Sequence, residues 1–132
     1  MTVQESITSI LGSVKRSCNI PDDVDVFDAE LILLINTTFA KLHQMGVGPE
    51  SVFSIEDSGA TWDEFSTNPE VAMAKTYVFL ETRLVFDPPT ASVLTAMEKK
   101  RDELEWRLNV ADDKPLHDID IETGGNDSND DV

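Results

Sequence analysis

The sequence predicts an all-α fold. It reads as a small bundle of about four helices with a long loop between helices 2 and 3 and a disordered acidic C-terminal tail. Three observations predict this. Apolar residues recur at helical spacing in four separate segments. The breaks between those segments carry strong stop and cap residues, Asn-Ile-Pro, Gly-Val-Gly-Pro and Asp-Pro-Pro. Finally, 40% of the 132 residues are hydrophobic, including six Phe, two Trp and one Tyr. That is enough for one core and too apolar for a chain disordered throughout.

The first helical segment runs from about Gln4 to Cys18. Ile7, Ile10, Leu11, Val14 and Cys18 form one apolar stripe along it. Lys15 and Arg16 suit the negative pole of its dipole. Asn19-Ile20-Pro21 stops it, and Asp22 to Asp25 form an acidic turn.

Asp28 is the expected N-cap of the second segment, with Phe27 placed to staple onto Ile32. Leu31, Ile32, Ile35, Phe39 and Leu42 make its stripe, widened by Leu34 and Met45. Gly46 follows the last apolar residue, where a left-handed C-cap belongs. Gly48-Pro49 confirms the break.

From Val47 to Asn68 the helical period is lost. Phe53 and Ile55 suit a short extended stretch, and Trp62 and Phe65 one helical turn capped by Thr61. A loop this long in a compact domain is functional or pinned by its own aromatics. Trp62 is the expected anchor.

Asn68-Pro69 is the N-cap and N1 pair of the third segment. Apolar residues cover nearly every face from Val71 to Phe86, the pattern of a buried central helix. Its charges, Lys75, Glu81 and Arg83, must pair or reach solvent. Asp87-Pro88-Pro89 ends it.

Thr90 or Ser92 caps the fourth segment, with Val93, Met97, Leu104 and Leu108 as its stripe and Leu94 beside it. Its other face is charged from Glu98 to Glu105, with Glu103 and Arg107 an i,i+4 pair. Trp106 is read as packing the last turns, with a contact to a neighbouring subunit as the alternative. Residues 1–111 are thus expected to form the helical domain and 112–132 an acidic flexible tail.

The chain holds 26 acids against 10 bases, a net charge of −16. The tail from Asp112 contributes eight acids and one base, so the body is acidic in its own right. Affinity for phosphate depends on Lys and Arg, so a general nucleic-acid binder is disfavoured, and so is adhesion to anionic membranes. No apolar run approaches the roughly 18 to 20 residues of a membrane span. The N-terminus has no basic region followed by an apolar one, so no signal peptide is expected. The single cysteine, Cys18, points to a reducing compartment.

Chemistry-bearing motifs are few. Cys18 lies on an apolar stripe, where a buried inert thiol is expected. His43 and His117 are far apart in sequence and lack orienting motifs. Asp118, Asp120 and Glu122 alternate like calcium-loop ligands, but Thr123 stands where that loop needs Gly and Asn129 where it needs Glu. Neither a zinc ligand set nor a glycine-rich phosphate loop is present. Lys99-Lys100-Arg101 is flanked by acids and reads as a solvated face. The residues alone therefore indicate a binding or structural protein with no cofactor and no catalytic site.

One ordered set of strings goes further: Leu42-His43-Gln44-Met45-Gly46-Val47-Gly48-Pro49, Trp62-Asp63-Glu64-Phe65, Thr76-Tyr77-Val78-Phe79-Leu80, Arg83-Leu84-Val85-Phe86-Asp87-Pro88-Pro89-Thr90 and Glu103-Leu104-Glu105-Trp106-Arg107-Leu108. In order and spacing the chain from Ile7 to Leu108 resembles the head–tail connector proteins of long-tailed bacteriophages. That resemblance implies a virion neck protein, made in the host cytoplasm. It implies a ring of about twelve copies, closed by a head-to-tail interface, below the portal. The portal and a downstream neck or tail-completion protein would be its partners, and genomic DNA would pass through its channel without specific binding. The candidate subunit or partner contacts are Trp62, Asp102, Glu103 and Trp106. The competing reading is an acidic DNA mimic that binds a host nucleic-acid-binding protein. Such a mimic should space carboxylates like phosphates, whereas the fourth segment alternates signs.

Overall fold

The computed structural model describes residues 2–113. Six helices follow one another: α1 (Val3–Thr8), α2 (Ile10–Ser17), α3 (Asp28–Gln44), α4 (Trp62–Phe65), α5 (Val71–Phe86) and α6 (Ala91–Asp113). Among the described residues there is no strand, only an isolated bridge between Ser9 and Thr61. The all-α expectation is met.

The first predicted helix is two. Ser9 is extended (φ −72°, ψ 133°), so the helix ends at Thr8 and restarts at Ile10, with the Ser9 hydroxyl accepting from the Gly12 N–H at 2.9 Å. Ser9 behaves as the N-cap its residue type favours. The break also releases backbone groups for the long loop. The Ile10 N–H donates to the Ala60 carbonyl at 3.0 Å, and the Ser9 hydroxyl to the Ser58 carbonyl at 2.8 Å. Gly12 permits the tight fold-back of α1 on α2, because a Cβ there would stand 2.9 Å from the Ser6 carbonyl oxygen. Ile7, expected on the buried stripe, is 43% exposed as a result.

α2 ends on Asn19 at φ 62°, with the Asn19 N–H donating to the Arg16 carbonyl and the Ile20 N–H to the Lys15 carbonyl. α3 ends likewise on Gly46 at φ 81°, with Gly46 N–H to His43 and Val47 N–H to Leu42. Both are Schellman closures, the second where the sequence places it.

Two helix starts differ from expectation. Phe27, not Asp28, is the N-cap residue of α3, and it makes no side-chain cap. Asp28 is instead drawn to the buried Lys15, 2.9 Å away, while still placing its charge at the positive pole of α3. Phe27 packs edge-on against Phe86 at 5.3 Å rather than stapling onto Ile32. The ladder of α5 begins at Val71, two residues after Pro69, because the Asn68 side chain holds the Glu70 N–H in a preceding turn.

α5 is the centre, contacting α2, α3 and α6. Ala74, Tyr77 and Val78 from α5 join Ile10, Leu11 and Val14 from α2 and Leu31, Ile35, Phe39 and Leu42 from α3 in one buried cluster. The long loop closes that cluster. Asn36 clamps Ile55 at both backbone groups, accepting from its N–H at 2.8 Å and donating to its carbonyl at 3.0 Å. Phe53, Trp62 and Phe65 then stack around Phe39, at centroid distances of 5.1, 6.2 and 4.8 Å. Thr61 and Glu64 form the capping box of α4. Lys114 to Val132, with most of the acidic tail and the calcium-like run, lie outside the described residues.

Candidate contact surfaces

α5 and α6 form an antiparallel hairpin around Asp87-Pro88-Pro89-Thr90, and a buried charge fixes its register. Glu81 sits on the α6-facing side of α5, 8% exposed. It pairs with Lys41 of α3 and with Arg101 of α6, the latter at 2.9 Å. Four residues back, the Tyr77 hydroxyl donates to Glu105 of α6 at 2.8 Å. Burial works to raise the Glu81 carboxyl, but the hydrogen bonds from Lys41 and Arg101 outweigh it and hold Glu81 below the ordinary carboxylate value. Burial, and then the bond to Glu105, push the Tyr77 hydroxyl well above the ordinary phenol value. The hydrogen bonds to Glu81 and then Asp102 raise Arg101. The chain therefore locks α3, α5 and α6 together through one buried carboxylate, Glu81. Sequence reasoning requires a partner for Glu81 but does not find which one, since Lys41 and Arg101 lie 40 and 20 residues away.

α6 packs unevenly. Leu104 and Leu108 are buried as expected, with Leu94 and Met97 half-buried, but Val93 is exposed. Trp106 corrects the packing expectation. It is 67% exposed on the side of α6 away from Leu104 and Leu108. With about 3.6 residues per turn, Asp102, Glu103, Trp106 and Val110 fall on one outer face. Asp102 is held by Arg101 at 2.7 Å, and Glu103 by Lys100 at 3.7 Å and Arg107 at 3.1 Å. Three of the four candidate residues therefore share one surface. An exposed Trp ringed by paired charges has the composition of an interface anchor.

Trp62 is elsewhere. It is 4% exposed, and its indole N–H donates to the Ser13 hydroxyl at 2.9 Å, tying α4 to α2. The Lys75 ammonium stands 5.6 Å over its ring. This is the anchor that the long loop requires.

Cys18 is buried, and burial raises its thiol above the ordinary value. His43 is half-buried at the end of α3. No described helix is long and apolar enough to cross a membrane.

Comparison with protein families gives a match to the model of the phage connector protein family over residues 10–115. The chain belongs to that family. The connector is accordingly a structural component of the bacteriophage virion that joins head to tail, with portal or tail proteins as its partners in general. The matched span runs from the first residue of α2 through the whole of α6. It includes the α5–α6 hairpin, the loop and both tryptophans. Neither the curated proteins nor the solved structures give a match.

Proposed function

We propose that this connector assembles into a ring below the portal, joins the capsid vertex to the next neck component and extends the DNA exit channel. The observation that carries this reading is the outer face of α6. A connector needs a surface for its neighbours, and here a 23-residue helix presents an exposed Trp106 between paired charges while its other side is fixed by Leu104, Leu108 and Glu81. A helix of that length is about 34 Å long, enough to span a neighbour in a ring. A head-to-tail contact repeated around an axis closes into a ring when its rotation closes. The net charge of −16 also suits a channel, since it repels phosphates and lets a duplex slide.

The test is co-sedimentation of the purified protein with DNA-filled, tail-less heads that carry their portal. Saturable binding at one vertex, near the dozen copies that the family resemblance implies, is the expected result. Absence of binding to intact portals would overturn the reading. Salt-sensitive capture of a host DNA-binding enzyme would replace it with the acidic mimic. The pattern on α6 opposes that mimic, because Lys99, Lys100 and Arg101 interrupt the carboxylates.

A further inference from the structure

α5 turns two different sides to its surroundings. Tyr77 and Glu81 face α6, to which both are bonded. Lys75 and Phe79 each stand two residues from Tyr77, about 200° around the helix, so they face away from α6. There they line a groove with Ile7 and Arg16, about 340 Å³ in volume. A second part, about 190 Å³, shares Ile7 and Lys75 and runs on to Trp62 and Asp63. The order along the groove is therefore Asp63, then Lys75 with Ile7, then Arg16 with Phe79. Ile7, 43% exposed, and the half-buried Phe79 give it an apolar lining.

The groove is basic in a protein of charge −16. Nine bases lie among the described residues, and six of them have a carboxylate within 4.0 Å: Lys15, Lys41, Arg83, Lys100, Arg101 and Arg107. Arg16, Lys75 and Lys99 have none among the described residues. Two of those three line this groove, and the third lies on α6.

The outer face of α6 carries the matching pattern. Lys99, Asp102, Glu103 and Trp106 follow one another over about 10 Å of helix. The ion pairs that hold Asp102 and Glu103 within α6 lie at the surface and are worth little, so both carboxylates remain available to a neighbour. Read along the helix, the face is positive, then negative, then a protruding indole. Read along the groove, the lining is negative at Asp63, positive at Lys75, then apolar with a second positive charge at Arg16. Aligned in this order, Lys99 meets Asp63, and Asp102 and Glu103 meet Lys75. The indole then reaches Phe79 beside Arg16, where a guanidinium over a Trp ring is favourable. Because the two patches lie on opposite sides of α5, one chain cannot bring them together. They meet only between copies, and such a contact repeats head to tail.

We infer that the outer face of α6 in one copy docks in the Ile7–Lys75–Phe79 groove of the next copy. The inference rests on the ring reading above and names the two surfaces that close the ring.

The test is binding of charge-reversed full chains to the portal-bearing heads. Arg16→Glu/Lys75→Glu should weaken assembly about tenfold or more, as should Asp102→Lys/Glu103→Lys, because each sets like charges against each other across the contact. The chain that carries all four substitutions restores opposite charges and should regain at least most of the native binding. A second exchange uses two exposed positions outside that set: Asp63→Lys and Lys99→Asp should each weaken assembly alone and together restore it. Failure of the native chain to bind would overturn the ring reading itself. Native binding with no loss in Arg16→Glu/Lys75→Glu would overturn the groove as the contact. Loss in the single-surface variants without recovery in either combined chain would also overturn the inference and assign the groove to an acidic surface of the portal or of the next neck component.

Discussion

The long loop and α6 invert the usual relation between regular structure and burial. The loop from Val47 to Asn68 holds a single helical turn, yet Ile55, Trp62 and Phe65 are core residues. α6 is regular over 23 residues, yet between Ala91 and Val110 only Leu104 and Leu108 are buried. The loop is irregular because its backbone bonds go to side chains and to the Ser9 break. It is fixed because three aromatics pack on Phe39. α6 is regular because its hydrogen bonds are internal, a property that needs no neighbour. Backbone regularity therefore gives no measure of where this connector is stable. The loop is a structural element, and α6 is largely exposed.

The most severe way to break this contrast is Trp62→Ala. It removes a buried indole that touches Phe39 and Phe79 and binds Ser13. The expected loss is about 3–5 kcal/mol, typical of a large aromatic cut from a core. Urea unfolding followed by circular dichroism measures it. A loss below about 1 kcal/mol would mean that the loop is not part of the core.

A smaller effect is expected where α6 meets the body. Glu81→Gln should cost about 1–3 kcal/mol, since Arg101 and Lys41 lose a charged partner. Lys41 is half exposed and regains solvation, which holds the cost to the lower part of that range. The pH dependence follows from the direction of the Glu81 shift. Its carboxyl is held lower in the folded state than in the unfolded chain, so the stabilisation is fully present above the unfolded value of about 4.3. It is lost as pH falls through the folded value. Unfolding free energies across acid pH should thus decline more steeply in the native protein than in Glu81→Gln. Parallel curves would show that Glu81 does not carry this linkage.

Asn36→Ala sharpens the loop side of the comparison. It removes the two bonds that hold Ile55, at a cost of about 1–2 kcal/mol for two neutral hydrogen bonds at a half-buried site. Hydrogen exchange should rise first around Ile55 and not in α6. Uniform acceleration would mean that loop and bundle open as one unit.

How much of this was legible in the sequence depended on whether the signal was local. The C-cap at Gly46, the capping turn at Thr61 and the central position of α5 follow from residue type and period within a few residues. The split at Ser9 was hidden because Ile7, Ile10, Leu11 and Val14 keep helical spacing across it. The only local hint is an N-cap residue type in mid-helix. The partners of Glu81 were hidden for a different reason, since they come from two other helices. The sequence points Trp106 toward packing because a large apolar residue usually has a neighbour within its own chain. In α6, Leu104 and Leu108 already fill that side, and the indole lies opposite them.

Trp106→Ala should therefore have the smallest effect on stability and a large one on assembly. With most of its surface in solvent, the indole contributes little to the fold, and the unfolding free energy should change by no more than about 0.5 kcal/mol. If the α6 face is the ring contact, the same substitution should reduce binding to portal-bearing heads about 30-fold or more, the effect of losing about 2 kcal/mol at an anchor. Asp102→Lys/Glu103→Lys should weaken assembly through the flanking charges, in a salt-dependent way. A Trp106→Ala protein that loses stability but assembles normally would return the indole to the fold and leave the loop side as the surface for partners. A protein of native stability that no longer joins the head would separate the two halves of the comparison. Burial would then hold the connector together, and the regular, exposed helix would hold it to its neighbours.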